Sequence, residues 1–317
     1  MLCSPVIRAL KKARPEAELF FLTKAKYRSL LEFNPHLSGL LLLKDSLHPL
    51  MKQIREQQFD LIIDLHASLR SRWISMLSGK PVLTYSKENF AKFLRIFLGI
   101  NRFSGKHVVE RYFDALKPLE IYPDQHGNEF YPCDCEKPEP ETELPDFFGR
   151  EKFAVFAIGG THNTKKMPVE KWAQLASRMP CPIILIGDAG DDPSAQEIER
   201  ISQLGKAAIF NACGKFKVGG SAWIIREAAF VISHDTGMMH IASAYRKPVV
   251  CIWGNTVPEF GFSPYKTPSC NLQVEGLSCR PCSRTGFNSC PKGHFRCMLE
   301  QNLNNNNLWD FIHAALA

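Results

Sequence analysis

Ile232-Ser-His-Asp-Thr-Gly-Met-Met-His-Ile-Ala-Ser-Ala-Tyr-Arg-Lys-Pro-Val-Val-Cys-Ile-Trp-Gly254 reads as strand, turn, helix and strand in immediate succession. Phe230 to Ser233 closes one apolar strand, Gly237 to Ala244 forms a short helix, and Lys247-Pro248 stops it before the run Val249 to Trp253. Asp235 or Thr236 is the expected helix cap. The first backbone N–H groups and the positive end of the helix dipole then point out of the carboxyl edge of a sheet, which suits a phosphate or pyrophosphate. An isolated Asp-Thr-Gly is more often an ordinary capped turn. His240, one turn into the helix beside the same edge, shifts the balance towards a ligand site.

Working outward, the carboxyl half repeats this pattern. Phe153 to Ile158 is a strand that runs into Gly159-Gly-Thr-His-Asn-Thr-Lys-Lys-Met-Pro168, a polar loop opening the helix that carries Trp172 and Leu175. Its glycines allow close backbone approach, and Lys165 or Lys166 can offer a cation to phosphate. The loop matches neither the phosphate-loop pattern nor the three-glycine dinucleotide fingerprint. A strand at Pro182 to Ile186 leads to Gly187 and Asp188, then a helix from Pro193 to Leu204, then Asn211-Ala-Cys-Gly214 and a helix over 221–229. The Gly159, Gly187 and Asp235 loops all leave the carboxyl ends of expected parallel strands, so in one sheet they converge on one ligand.

The amino half also alternates. Helices are expected over 4–13, 24–32 and 49–57, and strands over 18–23, 40–43 and 60–65, which predicts a mostly parallel covered sheet. The sequence enters this half on a helix, so the usual first strand of a doubly wound domain and its loop are expected to be missing. After the strand ending at Leu65 come His66-Ala-Ser-Leu-Arg-Ser-Arg72; Asp64, His66, Arg70 and Arg72 together suit an acidic acceptor, although singly each fits a cap or a solvated charge. Phe90, Phe93, Leu94, Phe97 and Leu98 recur at helical spacing, a pattern read first as core and only second as a face leaning on a membrane. Prolines and glutamates between Tyr122 and Arg150 mark a boundary, giving domains 1–130 and 151–317 around a linker over 131–150.

Composition narrows the class. With 45% hydrophobic and 22% charged residues the chain is of globular type, and its longest apolar runs fall far short of a membrane span. The reading is a cytoplasmic protein without a leader. A net charge of +7 allows an anionic substrate or a membrane-surface acceptor, while the lack of a basic tract or basic-aromatic ladder sets nucleic acid aside. Of eleven cysteines, Cys270, Cys279, Cys282, Cys290 and Cys297 cluster, which favours reduced thiols or a metal over a disulfide framework. Cys279, Cys282, Cys290 and Cys297, with His294 as a substitute ligand, satisfy the requirements of a tetrahedral structural zinc; unliganded thiols fit the spacing equally well.

These motifs resemble the ADP-heptose:lipopolysaccharide heptosyltransferase family. The resemblance runs through Pro5-Val-Ile-Arg-Ala-Leu-Lys-Lys12, Phe59 to His66, Val108-Val-Glu-Arg111, Lys165-Lys-Met-Pro168 with Trp172, Asn211 to Gly214, and most specifically Asp235-Thr-Gly-Met-Met-His240. It implies two facing Rossmann-like domains of the GT-B type with a cysteine-rich carboxyl-terminal segment. It also implies an ADP-sugar donor in the carboxyl half and a lipopolysaccharide core or related glycan acceptor in the amino half, at a transient inner-membrane contact. By the same resemblance Lys165 serves the donor phosphates, the backbone of Thr236 and Gly237 the pyrophosphate, Asp235 the sugar hydroxyls, and His240 the same pocket. Gly187 and Asp188 fall on the nucleotide side. The implied chemistry is displacement at the anomeric carbon with inversion, needing no metal. The family's expected proton acceptor is an aspartate in a Gly-Asp pair that would precede Met1, so the catalytic base is unknown; Asp64 is the substitute the sequence offers. Two other readings keep the fold: a transferase using another nucleotide sugar, and a catalytically defective nucleotide-sugar-binding protein.

Overall fold

The computed structural model describes residues 1–43, 47–202, 205 and 207–317. The expected end of a helix at Leu204 lies outside these residues. The amino half runs α1 (Ser4–Ala13), β1 (Phe20–Lys24), β2 (Gly39–Leu43), α2 (Leu47–Glu56), β3 (Ile62–Asp64), α3 (Leu69–Ser78), β4 (Val82–Thr84), α4 (Asn89–Leu98) and α5 (Val108–Asp114). A short α6 (Pro140–Glu143) intervenes. The carboxyl half follows as β5 (Ala154–Ala157), α7 (Val169–Ala176), β6 (Ile183–Ile186), α8 (Asp192–Ser202), β7 (Ile209–Asn211) and α9 (Val218–Glu227). It continues through β8 (Phe230–His234), α10 (Gly237–Ala244), β9 (Val249–Trp253), β10 (Ser269–Gln273), α11 (Arg296–Leu299) and α12 (Asn306–Leu316).

The carboxyl half holds one six-stranded parallel sheet, ordered β10-β9-β8-β5-β6-β7. Alternate residues feed two cores. Phe156, Leu185, Ile232 and Ile252 meet α7, α8 and α12, while Val155, Ile184, Val231 and Cys251 meet α9 and α10. Burial on both faces is why these strands read as continuous apolar runs. The chain winds outward from β5 to β7, returns to β8 beside β5, and winds the other way, so the strand order reverses between β5 and β8. That reversal is where an open α/β sheet leaves a crevice at its carboxyl edge.

The amino half departs from the single covered sheet expected. Among the described residues β1 pairs only with β2, and β3 only with β4, as two separate parallel pairs. Their cores are correspondingly small, one beneath α2 and one where α1 packs on α5.

Buried charge fastens elements within the amino half, through Arg8, and joins that half to the other where Arg111 reaches the Phe260 carbonyl. Arg8 donates twice to Asp124, at 2.7 and 2.9 Å, and pairs with Glu129 at 2.8 Å. Arg111 pairs with Glu88 at 2.7 Å and donates to the Phe260 carbonyl at 2.8 Å. The stretch expected as a surface linker is mostly exposed, with Leu144 buried and Phe147 and Phe148 packed on the carboxyl core. It also contains a Cys133–Cys135 disulfide, where reduced thiols were expected; the other nine cysteines are free.

Candidate functional site

The exit loops of β5, β6, β8 and β9 meet at the crevice. Lys165 follows β5, and its Nζ donates to Asp235 Oδ2 at 2.6 Å and to the Asp235 carbonyl at 2.9 Å. Thr256, beyond β9, donates its hydroxyl to the same Oδ2 at 2.9 Å. Lys165 and Asp235 are nearly covered, 15% and 14% exposed, so their charges act on one another with little screening by water.

Thr236 occupies the cap position of α10 in extended backbone, but its side chain does not cap; its hydroxyl lies 3.3 Å from Ser233 Oγ. This corrects the capping role expected of Asp235 or Thr236: lysine and Thr256 hold the Asp235 carboxylate instead. The N–H groups of the first turn of α10 have no side-chain acceptor. A Cβ built on Gly237 would meet nothing within 4 Å, so this helix end opens onto free space beside Lys165.

The β6 loop reinforces the first. Asp188 Oδ1 accepts from Gly190 N–H at 2.8 Å, and Asp191 Oδ2 accepts from Asp188 N–H at 3.1 Å. Lys166 pairs with Asp191 at 2.6 Å. Glycine is required here because a Cβ on Gly159 would approach Asp191 Oδ2 to 2.5 Å, and one on Gly187 would come within 2.8 Å of the same side chain.

His234 is the residue that sequence reasoning missed. Fully buried at the end of β8, its Nε2 accepts from Met167 N–H at 2.8 Å and its Nδ1 faces the Gly159 carbonyl at 3.3 Å. Together these partners define a neutral ring protonated on Nδ1. Burial pushes its pKa down to about 4. His234 thereby fastens both ends of the loop that carries Lys165, and its only sequence signal was a polar residue at the end of an apolar strand. His240 lies within electrostatic reach of Asp235, Lys165 and His107 of the amino half; desolvation lowers it also to about 4, and its sealed Nδ1 has no protein partner.

The cysteine-rich segment packs directly on these loops. Thr164 and Phe287 exchange hydrogen bonds at 2.8 and 3.1 Å, and Cys282 N–H donates to the Asn255 carbonyl at 3.2 Å. Arg280 donates to the carbonyls of Gly254 at 2.7 Å and Thr256 at 3.0 Å, and to Gln273 Oε1 at 2.7 Å. The thiols of Cys279, Cys282, Cys290 and Cys297 lie within electrostatic reach of one another, and Cys279 Sγ is 3.7 Å from His294 Nε2. Among the described residues, however, no three His, Cys, Asp or Glu side chains are arranged to hold a metal ion. Of the two readings of the spacing, the described residues do not form the zinc ligand set, and hydrogen bonds fasten the segment.

On the amino side, Asp64 is buried and committed. Its Oδ1 accepts from the N–H groups of His66 and Ala67 at 3.0 and 2.8 Å, and its Oδ2 from the Ser71 hydroxyl at 2.9 Å. It is the organiser of the turn into α3. His66, Arg70 and Arg72 are exposed around that turn. Lys24 and Lys87 share the same field as His66, whose pKa is lowered by partial burial and then by Lys87. Lys92 is pushed down to about 8 by burial, with Arg111, Arg284 and Lys87 adding to the effect. Lys24, Arg70, Arg72, Lys87, Lys92 and Arg284 thus gather positive charge at this edge of the amino half.

A doubly wound sheet with an uncapped helix end, a lysine and glycine loops at its switch point defines a nucleotide-binding α/β protein. The model of glycosyltransferase family 9 (heptosyltransferase) matches residues 47–289. The chain belongs to that family. It is 29% identical over 241 residues to lipopolysaccharide heptosyltransferase 1 of Pseudomonas aeruginosa, covering 73% of this chain and 64% of that protein. Its fold matches the structure of E. coli ADP-heptose lps heptosyltransferase II with a TM-score of 0.68 at 17% identity, covering 99% of this chain and 94% of that one. E. coli heptosyltransferase WaaC with ADP gives 0.62 at 18% identity, covering 87% and 91%. The GT-B type of fold expected from the sequence is the one found.

Proposed function

We propose that this protein is an inverting glycosyltransferase that moves a heptose or related sugar from an ADP-activated donor to a lipopolysaccharide core acceptor at the cytoplasmic side of a membrane. Family membership supports the class of reaction. The observation that carries the donor reading is Lys165 Nζ placed beside the open end of α10 at the switch point. In this reading the N–H groups of Gly237 and Met238 receive the pyrophosphate, and Lys165 turns from Asp235 towards it. Asp235, still held by Thr256, is left to accept from sugar hydroxyls. His240, neutral in this pocket, offers a ring nitrogen rather than a second cation. The Gly187–Asp188 loop borders the nucleoside.

As the acceptor oxygen bonds to the anomeric carbon, the bond from that carbon to the phosphate oxygen breaks, negative charge grows on ADP, and the acceptor hydroxyl's proton is released to water. Preplaced donors aimed at such a leaving group are the interaction class that contributes most to catalysis. Asp64 is not assigned the acceptor's proton, because three donors already occupy its carboxylate. His66, Arg70 and Arg72 line the acceptor approach.

The test is ADP binding by calorimetry to the wild type and to Lys165→Ala, with turnover followed as ADP release from ADP-heptose. A charge-assisted contact to phosphate is worth roughly 1.5–3 kcal/mol, so affinity should fall about 10- to 100-fold. Unchanged affinity in a variant that still melts cooperatively would remove Lys165 from the site. Release from a different nucleotide sugar in preference to ADP-heptose would replace the donor while keeping the transferase.

A further inference from the structure

Ten of the seventeen exposed large apolar side chains among the described residues lie between Leu69 and Ile100. On α3, Leu69 (81% exposed), Trp73 and Met76 stand at intervals of four and three residues, so they share one helix face. On α4, Phe90 (72%), Phe93 and Phe97 (68%) do the same, and Leu98 is exposed at the end of the helix. The helical periodicity read as a core face is therefore an outward one: only Ala91 of α4 is buried. Apolar surface gathered in this way marks a contact.

The charge of the same segment indicates what it contacts. Residues 65–109 contain eight lysines and arginines and one acid, Glu88, a net +7 that equals the formal charge of the whole chain. Glu88 is occupied by Arg111 at 2.7 Å. Arg70 and Arg72 flank the apolar face of α3, and Lys80 follows it directly. Lys106 is paired with Asp114, but aromatic and aliphatic residues facing out among the remaining excess of cations are the pattern of a helix that lies in the interface of an anionic bilayer. No described helix is long and apolar enough to cross a membrane, so contact rather than insertion fits.

The two helices also start at the same edge. Each leaves the carboxyl end of one strand of the parallel β3–β4 pair. Lys87, just before α4, senses the charges of Arg72 in α3 and of Arg284 in the cysteine-rich loop, and Arg284 donates to the Asn89 carbonyl at the start of α4 at 3.5 Å.

We infer that α3 and α4 form a membrane-docking face that seats the protein on anionic phospholipid headgroups, with Trp73, Phe90 and Phe97 entering the interface and the flanking lysines and arginines meeting lipid phosphates. The inference rests on this face alone and not on the donor reading. A protein so seated presents the Asp64–Arg72 edge to molecules anchored in the same bilayer.

The test is co-sedimentation of the full chain with phosphatidylglycerol–phosphatidylcholine vesicles and with pure phosphatidylcholine vesicles, at low and high salt. Binding at least about tenfold tighter to the anionic vesicles is expected, weakened by salt. The double variant Phe90→Ser/Phe97→Ser should lose about tenfold or more of it, with melting and ADP binding unchanged because both rings face out. Equal binding to the two vesicle types, no binding to either, or a double variant that binds like the wild type would each overturn the inference. So would a lipid-free dimer that the double variant dissolves, since the face would then belong to a second copy.

Discussion

Every residue of β5, β6, β8 and β9 is buried, whereas no residue of β1 or β2 is, and β3 buries only Asp64. A fully buried Leu, Ile or Phe contributes roughly 1.5–3 kcal/mol, so the carboxyl sheet holds its exit loops far more firmly than the amino pairs hold theirs. On the proposed reading the difference suits two kinds of partner: a small charged nucleotide, met by backbone N–H groups and a lysine already in place, and a large anchored acceptor, met by an exposed, cationic surface.

The strongest way to break this contrast is to loosen the firm half from within. His234→Ala removes the acceptor for Met167 N–H and the partner of the Gly159 carbonyl, and leaves a cavity beside Trp172. Unpaired buried backbone groups and a cavity together cost about 3–5 kcal/mol, to be read from denaturant unfolding, and ADP affinity should fall with it. Acid should act on the same residue. His234 and His240 titrate near 4 in the fold against an ordinary 6.5, so between those values the unfolded chain binds more protons. Stability is then whole above about pH 6.5 and declines as the pH drops towards 4, by up to about 3 kcal/mol per histidine. His234→Asn should flatten that decline; a slope identical to the wild type would mean that His234 is not the group being protonated.

The carboxyl half was also the more legible one, for the same physical reason. Strands buried on both faces appear as unbroken apolar runs, and Ile232 to Gly254 shows two of them around a helix. Lys165 and Asp235 stand out in the sequence because a cation and a strand-end turn are visible there. Their 2.6 Å pairing and the uncapped Thr236 were not, because caps depend on side-chain direction. β10 escaped notice because only Leu272 of Ser269–Gln273 is buried, and β4 because three residues carry no periodicity. On α4 the spacing correctly gave one apolar face, but periodicity cannot say whether another element covers it. Likewise, the spacing of Cys279, Cys282, Cys290 and Cys297 fits a ligand set in one dimension, while the fold spends the loop on Arg280 and its carbonyl partners.

A milder intrusion sharpens the contrast without disturbing the core. Gly237→Val adds a side chain where nothing lies within 4 Å, directly before the open N–H groups. Folding should change by less than about 1 kcal/mol, since valine is no poorer a helix former than glycine. ADP affinity should fall about 30- to 100-fold, because the pyrophosphate could no longer reach the backbone. A melting curve and a titration on the same sample separate the two. Unchanged affinity would mean that the helix end is not the anion site.

The smallest effect belongs to the amino half and decides what Asp64 does. As the organiser of the turn into α3 it needs only acceptor atoms: Asp64→Asn keeps one oxygen for the N–H groups of His66 and Ala67, and its amide can donate to the Ser71 hydroxyl. The loss is that of charge in two hydrogen bonds, about 1 kcal/mol of stability. If Asp64 instead removed the acceptor's proton, the same substitution would lower kcat by roughly 10²–10⁴-fold, since an amide cannot take a proton. The expected result is a kcat within about tenfold of the wild type and an unaltered pH profile. A greater loss in kcat at unchanged stability would return the base to Asp64 and make the turn that now occupies it a conformation the acceptor must open.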